Sequence, residues 1–186
     1  MKEKVKEIIQ IVDKQISMLR IVFTSGVFGI GLFTWKLSEA APLKIDSKVT
    51  AIITILFVLI SLVEFVLAFL ALRFRVSGKR LKAFLQDSKS LEKARSSAAF
   101  VRWAGILDSV NDYSDIEIAA LLFARQTVSL VIFSLAMFLS PAVYGLILVQ
   151  LGERSLVLVP FFVVPVLALN FCRISLRKII LEELSE

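Results

Sequence analysis

The chain has 186 residues, 58% of them hydrophobic, a mean hydropathy of +0.83, and 22 Lys and Arg against 16 Asp and Glu. That apolar content is too high for a soluble domain of this length, so the basic excess is assigned to helix ends at a membrane rather than to nucleic-acid binding. With no His and one Cys in the sequence, His-ligated haem or zinc, Ser-His-Asp catalysis and an intrachain disulfide are excluded.

The first 20 residues place Val5, Ile8, Ile9, Val12, Ile16 and Leu19 on one helical face and Glu3, Lys6, Glu7, Gln10, Asp13 and Lys14 on the other. This pattern predicts an amphipathic helix that lies on the membrane surface or packs on cytoplasmic helices. Nothing between Lys14 and Ile21 breaks it, so it is expected to run straight into a first span at 21–35. That span has only 15 uncharged residues, which requires Arg20 and Lys36 to snorkel and Trp35 to sit at the interface. Ser25 and Gly29 form a small-xxx-small pair expected to pack against another helix. A cleaved signal peptide ending near Ser38-Glu39-Ala40 is the rival account, disfavoured because the apolar run follows 20 residues of charged amphipathic helix.

A short polar loop with Pro42 leads to the second span, 49–72, whose only charged residue is Glu64. Reading that helix at steps of three and four gives Thr50, Thr54, Phe57, Ser61, Glu64, Ala68 and Ala71, all but Phe57 small or polar. That stripe is expected to face other helices, and the remaining Ile, Leu, Val and Phe to face lipid.

Residues 73–125 form the one sizeable polar region, with ten basic and six acidic residues. Two helices are expected there, Lys79 to Gln86 and Lys89 to Val110, the second with Phe100, Trp103, Ile106, Leu107 and Val110 on its apolar side. Ser114-Asp115-Ile116-Glu117 has the spacing of a capping box, with Ser114 as N-cap, opening a helix that continues through Arg125 into the third span at 126–151. Thr127, Ser134, Pro141 and Gly145 share a face there, and Pro141 is expected to bend the helix. Gly152 to Ser155 reads as a tight turn into a fourth span, 155–172, with Pro160, Pro165 and Asn170. Its prolines free backbone carbonyls that must be packed on helices or line a wet cavity. Cys172 reads as a buried, inert thiol, and the tail aligns Leu176, Ile180 and Leu184 at steps of four.

The fold class expected is therefore an all-α, integral membrane four-helix bundle, a single membrane domain over 1–186 with amphipathic cytoplasmic helices. Orientation follows from the basic residues: 5, 10 and 3 in the N-terminus, middle region and tail, against 3 and 1 in the two short loops. That asymmetry puts both termini and the middle region in the cytoplasm. The location expected is a plasma membrane of prokaryotic type. The order of spans is similar to that of flagellar-stator-type proteins, although the middle region is short for one. Tyr144-Gly145-Leu146-Ile147 is similar to a fragment of rotary-ATPase proteolipids, whose glycine-rich helices are missing here. These analogies of topology and of one tetrapeptide assign no family.

For function, Glu64 is the residue with an obvious chemical use. Burial disfavours the charged form of an acid, so Glu64 with Ser61, Thr54 and Thr50 is a candidate proton or cation pathway. The alternative is a neutral acid that bonds a neighbouring helix, with Ser134, Asn170 or a freed carbonyl as partner, in a structural or assembly subunit. No phosphate loop, nucleophile-base pair or metal set is visible, so no enzymatic activity, catalytic residue, metal or cofactor is expected. An intramembrane enzyme is the least favoured reading. The partners expected are membrane lipids, further copies of the chain or other membrane subunits, and a soluble protein at 73–125.

Overall fold

A computed structural model describes residues 1–38, 45–105, 112–153, 156–171 and 174–185. The thiol of Cys172, the loop with Pro42, the Glu39-Ala40 site, Ile106, Leu107 and Val110, and half of the turn before the fourth expected span lie outside the described residues. The described chain is helical, with no strand: α1 Glu3–Ser38, α2 Ser47–Arg75, α3 Gly78–Gln86, α4 Ser88–Ser96, α5 Ala98–Trp103, α6 Asp115–Gln150, a 3-10 turn at Leu156–Leu158, α7 Val159–Phe171 and α8 Leu176–Ser185. Three helices, α1, α2 and α6, are long and apolar enough to cross a membrane.

α1 is one uninterrupted helix of 36 residues joining the amphipathic segment to the first apolar run. The fourth expected span differs from the sequence reading. It is a 3-10 turn followed by a helix of 13 residues, roughly 20 Å long against the ~30 Å of a hydrocarbon core. Proline is the physical reason. Pro160 is the second residue of α7, a place where no intrahelical donor is required, so it starts the helix rather than bending it. Pro165, inside the helix, leaves the Phe161 carbonyl without its donor.

The second polar helix expected from the sequence is likewise two. The hydroxyl of Ser97 accepts the Phe100 amide and caps α5, which interrupts the helix between Ser96 and Ala98. Asp87 opens α4 in the same way, accepting from the Ser90 amide at 3.1 Å and hydroxyl at 2.6 Å. These bonds hold the Asp87 carboxyl below the usual range. Past α5, Gly105 turns the chain at a φ of 62°, a conformation that suits glycine.

The chain divides into two compact units: Met1–Ser17, Ala71–Val131 and Ile174–Glu186 in the first, Met18–Leu70 and Ile132–Arg173 in the second. The first holds 16 of the 22 basic and 12 of the 16 acidic residues. Its core takes Val5, Ile9, Val12 and Ile16 from α1, Leu81 from α3, Phe100 from α5, the buried start of α6, and Leu176 and Ile180 from α8.

Polar ties fix these helices in place. Asp13 of α1 caps α8 from outside, accepting the amides of Leu176 at 2.7 Å and Arg177 at 3.1 Å. Ser114 and Glu117 form the capping box, each accepting the other's amide, at 3.3 and 3.1 Å. The second Glu117 oxygen accepts the amide of Lys2. Lys82 pairs with Glu183 at 2.9 Å, and Arg95 with Asp115 at 2.8 Å.

In the second unit, the Phe162 ring of α7 lies against glycines of both α1 and α6. A Cβ placed at Gly31 would sit 3.5 Å from the Phe162 ring, and one at Gly145 would sit 2.9 Å from it and 3.0 Å from the Phe161 Cβ. Glycine at 145 is therefore a requirement of close approach.

Candidate functional site: the embedded carboxyl of the α2–α6 seam

α2 is apolar all round except along one row, and that row is what it turns inward. Thr50, Thr54, Ser61 and Ala68 are buried, with Phe57, Glu64 and Ala71 partly so, while Ile55, Leu59, Leu62 and Val66 point away from the chain. The facing surface belongs to α6, running antiparallel. Thr50 reaches the Leu151 carbonyl at 3.5 Å, and the Phe57 ring stacks on Tyr144 with centroids 4.7 Å apart. Phe65 meets Phe138 at 5.2 Å, and Ser134 reaches the Ala68 carbonyl at 3.5 Å. As numbers rise along α2 they fall along α6, one turn against one turn.

Glu64 sits at the middle of this seam, half-buried. One of its oxygens accepts the Tyr144 hydroxyl at 3.0 Å and the other meets the Ser140 hydroxyl. Both partners come from α6, one turn apart on the same face. Pro141 links this to the backbone. It has no N–H for the carbonyl of Met137, and the Ser140 hydroxyl reaches that carbonyl at 2.8 Å. Ser140 thus has one proton and two acceptors within reach, Glu64 and Met137. Neutral hydroxyls, not a basic side chain, are the partners of this acid.

The other pathway residues are arranged differently. Thr54 donates to the Thr50 carbonyl at 2.9 Å and so folds back on its own helix, while the Thr50 hydroxyl lies between the Asp46 carbonyl at 3.4 Å and the Leu151 carbonyl at 3.5 Å. The Phe57 ring separates them from Ser61, whose buried hydroxyl has no partner among the described residues. The row is a packing face with hydroxyls on it rather than a continuous hydrogen-bonded line.

Of the partners considered for Glu64, Ser134 bonds Ala68 instead, and Asn170 is exposed and donates to the Val166 carbonyl of its own helix at 2.8 Å. The freed carbonyl of Met137 enters through Ser140. Pro141 and Pro165 are buried and Pro160 is exposed at the start of α7. Ser25 and Gly29 lie on the exposed face of α1, and a Cβ at Gly29 would meet nothing within 4 Å. The buried face of α1 runs through Val27 and Thr34, with Gly31 against Phe162.

Ser140 and Tyr144 are the residues that sequence reasoning passed over. Their signal was a serine directly before a helix proline with a tyrosine one turn later, polar groups flanking a carbonyl that has lost its donor.

Among the described residues no three Asp, Glu, His or Cys side chains come together as a metal site. No protein-family model matches the chain, and no curated protein or solved structure is significantly similar to it.

Proposed function

We propose that this is a non-enzymatic, multi-pass membrane protein acting as a structural or assembly subunit, with Glu64 as the hydrogen-bonded lock of its antiparallel α2–α6 pair. The observation that carries this reading is that both Glu64 oxygens are taken by hydroxyls of α6 while the Thr54 hydroxyl of its row bonds its own helix. An acid at membrane depth is tolerated when protein hydroxyls replace water around it.

Four crossings with both ends and the middle region on one side would put Arg20, Arg73, Arg125 and Arg173 near the span ends, where a snorkelling cation belongs. On this reading α7, though short, makes the fourth crossing together with the 3-10 turn before it. The side facing the cytoplasm is set by the basic residues, 18 of 22 in the termini and middle region. The exposed Ser25 and Gly29 offer a second helix a close approach, in keeping with a homo-oligomer or a larger complex.

The test is Glu64→Gln beside wild type in liposomes holding a pH-sensitive dye, under a potential set by a potassium gradient and valinomycin. The amide keeps size and hydrogen bonding but cannot titrate. Normal folding, with neither protein moving protons or alkali cations above protein-free vesicles, is the expected result. The second reading, proton or cation handling, is favoured by the Ser140 hydroxyl standing between Glu64 and the Met137 carbonyl. Flux through wild type that disappears in Glu64→Gln would establish it.

A further inference from the structure

The stretch from Arg73 to Lys82 holds five basic residues and no acidic one. Within the charged unit Lys6 pairs with Glu3, Arg95 with Asp115 and Lys178 with Glu182. In the basic stretch Lys82 alone is matched, by Glu183 at 2.9 Å, and that bond together with buried Leu81 seats α3 on α8. Arg73, Arg75, Lys79 and Arg80 are exposed and make no ion pair among the described residues. Arg80 lies over the Phe84 ring, 5.1 Å from its centroid.

Set between the two arginines is Phe74, 69% exposed, on the C-terminal turn of α2, the most hydropathic of the three span-length helices. It continues the outward apolar line of Leu67 and Leu70 past the last uncharged turn. An outward aromatic ring flanked by unpaired guanidinium groups has a natural place at headgroup depth, where the ring meets acyl chains and the cations meet phosphate.

We propose that Arg73, Arg75, Lys79 and Arg80, around Phe74, form a binding site for anionic phospholipid headgroups. The site rests on the reading that α2 crosses the bilayer. Its ligand chemistry is a phosphodiester bearing net negative charge, presented by the same leaflet in which the end of α2 lies. Two arginines offer paired donors to phosphate oxygens, and the two α3 cations add charge beside them.

The full chain is reconstituted in phosphatidylcholine vesicles carrying a trace of spin-labelled phosphatidylglycerol or phosphatidylcholine, and the motionally restricted fraction is compared. Retention of the protein in the bilayer after alkaline carbonate washing reports insertion separately from selectivity. Wild type is expected to prefer phosphatidylglycerol several-fold, the preference falling with salt. A quadruple variant, Arg73→Gln, Arg75→Gln, Lys79→Gln and Arg80→Gln, is expected to bind both lipids alike with unchanged helix content. Replacing the three arginines by lysine should retain most of the preference. Inorganic phosphate at matched ionic strength should weaken it no more than chloride does. An inserted wild type with no preference, or a glutamine variant that keeps it, overturns the site. Selective displacement by phosphate overturns the assignment to lipid in favour of a soluble phosphate ligand.

Discussion

The phenol of Tyr144 donates to Glu64 at 3.0 Å while its ring lies against Phe57, 4.7 Å between centroids and 19° from parallel. Two contacts of different kinds thus cross the same seam from one side chain. Tyr144→Phe removes the first and keeps the second. It is expected to cost about 0.6–2 kcal/mol, the range for interhelical hydrogen bonds in membranes. Tyr144→Ala should cost more, by roughly the further 0.5–1.5 kcal/mol of an aromatic pair. Unfolding in mixed detergent micelles, with each variant also made on Glu64→Gln, measures the coupling. Equal losses for the two Tyr144 variants would mean the stack contributes nothing.

Close approach gives the second prediction. Gly145→Ala places a Cβ 3.0 Å from the Phe161 Cβ, which sits on backbone and has little freedom to yield. A loss of about 1–3 kcal/mol is expected, typical of overpacking. Gly29→Ala meets nothing within 4 Å in the chain and should be neutral or slightly stabilising in the isolated protomer. The same micelle unfolding assay compares them, and a neutral Gly145→Ala would show that α7 does not hold its crossing rigidly.

Asp13 carries the third. Asp13→Ala leaves the Leu176 and Arg177 amides at the head of α8 without their acceptor, at a cost of about 0.5–2 kcal/mol for a lost cap. Asp13→Asn keeps an acceptor and should recover most of it. Hydrogen exchange localises the effect. Protection should fall along α8 in the alanine variant while the middle of α6 is unchanged.

Acid sensitivity is the fourth. Burial alone would raise the Glu117 carboxyl, yet hydrogen bonds from the Lys2 amide and from the amide and hydroxyl of Ser114 together hold it below the ordinary glutamate value. A folded value below the unfolded one adds stability above the unfolded value, about 4.3, and that stability is lost as pH falls through the lower folded value. Glu117→Gln should remove this part of the acid sensitivity. Denaturant midpoints followed by Trp103 fluorescence in a Trp35→Phe background, from neutral pH downward, provide the measurement. A Glu117→Gln protein whose midpoint falls as steeply as wild type would assign the loss to other carboxylates.

Topology is the fifth. On the Cys172→Ser background, a cysteine at Ala41 should label from outside and one at Ser90 only from the cytoplasm. The reverse pattern would invert the proposed orientation.

Local rules made much of this protein legible from its residues alone. The inward row of α2 could be read because a helix in an apolar solvent shows its packed face by small and polar side chains at steps of three and four. The cap at Ser114 and Glu117 was equally readable, because a capping box closes within four residues. The length of α1, running unbroken through Lys14 to Ile21, needed only the absence of a breaker. Tertiary structure decided what depends on partners distant in sequence. Nothing near Glu64 announces Ser140 and Tyr144, since the antiparallel register that joins them is set by packing along the whole seam. Ser25 and Gly29 have the right spacing for a contact, yet the ring of Phe162 selects Gly31 instead, because spacing fixes a face of a helix and not which face its neighbours fill. Asp13 reads as one more polar residue of an amphipathic helix until α8 is brought to it across more than 160 residues of chain. Periodicity constrains one helix at a time, and the choice among the faces it offers is made by the side chains of another.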